Sequence, residues 1–118
     1  MNASSNQFTR SARRMAARQA RDASPPMGVY AIRDHASGHM RLGASRNVHT
    51  ALHRARFELG VGKHADRVLQ AAWNRSGAEG LVFEVLELVK EREEADFDYA
   101  GELRALAQIH RELQGLAP

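Results

Sequence analysis

Cysteine is absent from the 118 residues. Neither a disulfide framework nor a thiolate metal site can form, and a reducing, cytoplasmic setting is the expectation. Long apolar runs are also missing. No stretch approaches the roughly 20 residues that a bilayer-crossing helix needs, and the first residues lack the continuous apolar core of a secretory signal. Proline occurs three times, tryptophan once, and aromatic residues make up 6% of the chain. The Pro25–Pro26 pair stands out as a break.

With 43% hydrophobic and 26% charged residues, the composition is that of a folded globular chain. Its length suits one domain with a single core. The expected organisation is a basic N-terminal tail or helix over residues 1–24 and a domain over 25–118. Charge divides unevenly: residues 1–24 carry a net +4, 25–90 a net +3 and 91–118 a net −4, together the formal +3 of the chain. Positive charge at the front and middle suits a polyanion, provided the acidic end faces away from it.

Taken in order, residues 8–22 favour a basic amphipathic helix, with Phe8, Ala12, Met15 and Ala16 near one face. Its arginines suit either a phosphate-binding arm or a solvated helix. Residues 28–45, GVYAIRDHASGHMRLGAS, read as a β-hairpin: Val29, Tyr30 and Ile32 favour a strand, Asp34, Ser37 and Gly38 a turn, and Met40 to Gly43 a second strand. Asn47 is a good N-cap for a helix over 48–59, with Val48, Leu52, Ala55 and Leu59 inward and Phe57 flanking. A basic turn at Lys63 and His64 leads to a helix over 66–74, whose buried stripe is expected to be Val68, Leu69, Ala72 and Trp73, the tryptophan supplying the largest part of the core. LVFEVLEL, 81–88, suits a third strand with Glu84 and Glu87 on its solvent side. An acidic, irregular connection precedes a last helix over 99–113, with Leu103, Leu106, Ile109 and Leu113 at helical spacing. The fold class expected from this order is α+β, a three-stranded antiparallel sheet flanked by helices, with the basic N-terminal helix added.

GVYAI, then GHMRLGASRN, then GKHADRVLQAAWNRSGAEGLVFEVLE resembles the GIY-YIG nuclease family over residues 26–113. Gly28, Val29 and Tyr30 match the first half of the name motif, and Leu42 and Gly43 the end of the second. Asn47, Gly62, His64, Leu69, Gln70, Trp73, Asn74, Gly77 and the run Phe83 to Glu87 follow in the family's order.

The resemblance implies DNA as partner and cleavage of a phosphodiester with magnesium or manganese as cofactor. In that family a glutamate holds the cation, an arginine supports phosphate charge and tyrosines position or deprotonate the attacking water. Tyr30 keeps the first tyrosine position, whereas Arg41 stands at the second. The family's helix arginine and histidine fall on Ala51 and Ala55. The implied catalytic set is therefore Tyr30, Arg41 and a displaced guanidinium from Arg54. The ungapped register puts Ala107 at the metal-binding glutamate and His110 at the following aromatic, so Glu102, about one and a half turns earlier on the same helix, is the candidate metal ligand. Arg46, Arg56, Lys63 and His64 are candidate nucleic-acid contacts. His49 and His53 have the i, i+4 spacing of a metal pair but no third ligand nearby in sequence. Three functions follow: a small endonuclease, a non-catalytic nucleic-acid-binding module, or a protein-interaction module in which the acidic last helix meets a partner.

Overall fold

The computed structural model describes residues 25–116. The N-terminal helix expected over 8–22 lies outside them. Strands β1 (Met27–Asp34) and β2 (Met40–Ser45) form the hairpin, followed by helices α1 (Val48–Gly60) and α2 (Arg67–Ser76), a short 3-10 turn (Gly77–Gly80), strand β3 (Leu81–Val89) and helix α3 (Tyr99–Leu113). β1 is the central strand, antiparallel to both neighbours in the order β2-β1-β3. The α+β architecture anticipated from the pattern is the one observed.

Each face of the sheet is covered. Ile32 and Leu81 point to the side where Ala55 and Leu59 of α1 and Leu69 and Ala72 of α2 close a core, with Leu52, Trp73 and Phe83 packed against it. Val29 and Leu42 point to the other side and bury against Ala107 of α3, joined by Met40, Leu86 and Leu106. Alternation along β1 makes this two-sided burial possible: Val29 and Ile32 differ by an odd number of positions and so face opposite ways.

A β-bulge lies beside Tyr30. Val29 pairs with Glu87 and Tyr30 with Val85, which leaves Leu86 as the extra residue. The bulge inverts the alternation, so Glu87 faces α3, where His110 Nε2 meets its carboxylate at 2.7 Å. Glu84 is likewise partnered, by Arg33 at 2.5 Å. On the side of β3 expected to face solvent, Glu84 is therefore paired with Arg33 and Glu87, though still exposed, is hydrogen-bonded to His110.

Several burial expectations are corrected. Trp73 is half-buried at the rim of the core, and the largest fully buried side chains are Ile32, Leu59 and Leu69. Val68 is 44% exposed because it lies in the first turn of α2, off the face shared by Leu69 and Ala72. On α3, Leu103 and Ala107 are buried while Ile109 and Leu113 are exposed. Leu103, Ala107 and His110 share one face at three- and four-residue spacing, and Ile109 and Leu113 lie about 80–120° round from its centre.

Candidate functional site

Three local features build the site. Gly28 allows the β3 backbone to close in at the bulge: a Cβ there would lie 1.9 Å from the Glu87 carbonyl oxygen. Gly43 lies opposite Tyr30 across the hairpin, and a Cβ on it would lie 2.7 Å from the Tyr30 hydroxyl oxygen and 2.8 Å from the ring. The phenol therefore lies across β2 in space that only glycine leaves. Asn47 caps α1, its side-chain oxygen accepting from the Thr50 N–H at 3.1 Å, which fixes where the first turns of the helix stand over the hairpin.

Between β1, β2 and α1 is a cavity of about 370 Å³. Tyr30 and Arg41 enter from the sheet, Ala51, Arg54 and Glu58 from α1, and His64 from the turn beyond it. Ala51 and Ala55, where the family resemblance puts an arginine and a histidine, both line it. Small side chains at those positions leave room that the guanidiniums of Arg41 and Arg54 border instead. Arg54 lies at the mouth, with Nε 3.8 Å from Glu58 Oε1.

The turn holding His64 is tied down at both ends. Gln70 accepts from the His64 N–H at 3.0 Å and donates through Nε2 to the Leu59 carbonyl at 2.9 Å and to Asn74 Oδ1 at 3.0 Å. His64 Nδ1 accepts from the Asp66 N–H at 3.0 Å. A backbone N–H cannot accept, so the neutral imidazole keeps its proton on Nε2 and is a hydrogen-bond donor there.

Asp66, the α2 N-cap, accepts from the N–H groups of Val68 and Leu69 at 3.0 and 3.1 Å and meets His39 Nε2 of the hairpin turn at 2.9 Å. Burial works against its ionisation, but His39 and the two N–H groups outweigh it and hold the carboxyl below the usual aspartate range. Asp34, at the end of β1, is also lowered, chiefly by the Ser37 hydroxyl, which donates to it at 2.6 Å.

Of the residues singled out in the sequence, Tyr30, Arg41, Arg54 and His64 come together in one cavity, and the others do not. Glu102 lines a separate recess with Glu87, Lys90, Arg92 and Leu106, because α3 packs on the face of the sheet opposite α1. Glu102, the candidate metal ligand, and Tyr30 thus line different recesses. Arg46 is stacked over the Tyr99 ring, 5.0 Å from its centroid, and Arg56 over Phe83 at 4.5 Å. Lys63 is exposed in the turn. Glu58 was missed in the sequence; its only signal was the i, i+4 spacing to Arg54.

The donor set does not suit a resident divalent cation. Glu58 is the one carboxylate in the cavity and stands among guanidiniums, while Glu102 shares its recess with Lys90 and Arg92. Among the described residues no group of three or more His, Asp or Glu is gathered in cation-holding geometry.

No family model and no curated protein matches the sequence. Solved structures do. The catalytic domain of the homing endonuclease I-TevI superposes with a TM-score of 0.59 at 17% identity, covering 75% of this chain and 88% of that one. A point mutant of the intron endonuclease I-TevI catalytic domain gives 0.60 at 17%, over 76% and 84%. This chain is therefore built on the fold of the GIY-YIG catalytic domains.

Proposed function

We propose that the chain is a DNA-acting domain that receives a backbone phosphate in the cavity between β1, β2 and α1, with phosphodiester cleavage a slow, secondary property. The observation that carries this is the convergence of Tyr30, Arg41, Arg54 and His64 on one cavity in a fold shared with a homing endonuclease catalytic domain.

Arg41 and Arg54 supply the charge and the planar donors that phosphate oxygens take. His64, whose Nδ1 is occupied by the Asp66 N–H, presents its Nε2–H as a further hydrogen-bond donor to a phosphate oxygen. Tyr30 is the group placed to hydrogen-bond an attacking water. The cavity lacks a strong base beyond Glu58, which Arg54 accompanies, so binding outweighs chemistry in this arrangement. Divalent cations serve the chemistry of GIY-YIG nucleases generally. Here the residues in the cavity act as donors to the phosphate.

The test is a mobility shift against salt. Two neutralised phosphates, one each for Arg41 and Arg54, weaken binding about 12-fold between 50 and 200 mM salt. Arg41→Ala and Arg54→Ala each lower affinity and reduce the salt slope by about 1. Failure of the unaltered protein to bind DNA at 50 mM salt overturns the proposal. Supercoiled plasmid is nicked slowly at a rate that magnesium or manganese leaves unchanged, and Tyr30→Phe removes that nicking; rapid, complete digestion would overturn the ranking of binding over cleavage.

A further inference from the structure

The flank of α1 turned away from the cavity has a composition that the phosphate pocket leaves unexplained. His49, His53 and Phe57 recur every four residues, all exposed, Phe57 to 65%. Beside them Arg56 sits over Phe83, its guanidinium carbon 4.5 Å from the ring centroid. His49, His53, Arg56 and Phe83 line one recess with Leu52, and no carboxylate lines it. A guanidinium stacked on one face by a ring keeps its other face free for a second planar group, and imidazole and phenyl rings offer the same kind of surface. An exposed aromatic left in water beside fixed positive charge suits a ligand that is both flat and anionic.

We infer that this flank binds unpaired DNA bases, so that the preferred ligand is a duplex continuing into a single strand. The inference rests on the phosphate pocket proposed above and specifies the substrate class of the same site. The same helix carries both surfaces: Thr50, Ala51, Arg54 and Glu58 face the pocket, while His49, His53 and Arg56 face the recess. The separation is the width of one helix, about 10 Å. A backbone held by Arg41 and Arg54 therefore leaves its neighbouring bases within reach of α1's outer flank. Stacking is indifferent to base identity, so the preference is for strandedness rather than sequence.

Binding of a short blunt duplex is compared with binding of the same duplex carrying a single-stranded extension that contains 2-aminopurine. The unaltered protein binds the extended duplex about tenfold more tightly, the worth of one stacked base, and 2-aminopurine fluorescence changes on binding. Arg56→Ala and Phe57→Ala, both at exposed positions, abolish the preference and the fluorescence change, and Phe57→Ala, which removes no charge, leaves blunt-duplex affinity within about twofold. Arg56→Lys keeps the charge and still loses most of the preference, because the ammonium group does not stack as a plane. Equal binding of both duplexes by the unaltered protein overturns this inference alone, as does full function in Arg56→Lys. No binding to either duplex overturns the phosphate pocket as well.

Discussion

Two glycines show how single residues set the position of the Tyr30 phenol. A methyl group at Gly28 meets backbone, the Glu87 carbonyl, whereas one at Gly43 meets the end of the Tyr30 side chain, which can move. Gly28→Ala is therefore expected to cost more than about 2 kcal/mol in urea unfolding. Gly43→Ala costs less stability and instead weakens DNA binding by displacing the ring. Glu58 gives a second prediction at this scale. Its pairing with Arg54 is long and exposed, so Glu58→Gln leaves stability nearly unchanged. The substitution removes the one negative charge in the cavity, and DNA binding tightens several-fold at low salt, an effect that fades as salt is raised. The motif glycines were legible in the sequence as a resemblance, but their reasons were not: one answers a bulge and the other a ring across the hairpin, both set by tertiary contact.

At the scale of elements, the boundaries followed from local chemistry. Asn47 starts α1 and Asp66 starts α2 through side-chain bonds to the first free N–H groups, and Pro25 and Pro26 precede β1. Faces were harder to read where helices are short or packed obliquely. Ala107, unremarkable in composition, is buried against Val29 and Leu42, while the larger Leu113 stands in solvent. The apparent Leu and Ile stripe of the last helix followed hydrophobic content, and packing followed how closely α3 approaches the sheet. Asp66 joins two elements by capping α2 and holding His39 of the hairpin turn. Asp66→Ala is expected to lose about 1–2 kcal/mol in chemical denaturation. His39→Ala loses less, since the cap itself survives.

For the whole molecule, the site was partly legible because its polar residues come from three separate places, β2, α1 and the turn after it, whose order the family resemblance already aligned. The failure of Glu102 to join them lies in topology: α3 crosses the sheet on the face opposite α1, which no local pattern reveals. The start of that helix comes round to the edge of the sheet, where Tyr99 lies under the Arg46 guanidinium next to Ser45 and Asn47 of the cavity. Stability as a function of pH is a property at this same scale. Asp34 and Asp66 are both held below the usual aspartate value, so the folded chain binds fewer protons than the unfolded one in acid. Their contribution is complete above about pH 4 and falls away as pH drops through the lowered values. Thermal unfolding scans are expected to show a flat melting temperature down to that point and a decline below it, and the decline is shallower in Asp34→Asn and Asp66→Asn.

Tyr30 belongs to β1, the strand hydrogen-bonded on both sides and covered on both faces. Opening the outer strand β3 at its far end, or unwinding the end of α3, leaves that strand paired with β2. The group proposed to meet the substrate therefore sits in the part of the molecule that loosens last, while the arginines around it stand on the movable periphery. Ligand entry is then a matter of rearranging long side chains about a fixed phenol, and exchange of the Tyr30 amide with heavy water should track complete unfolding rather than any partial opening.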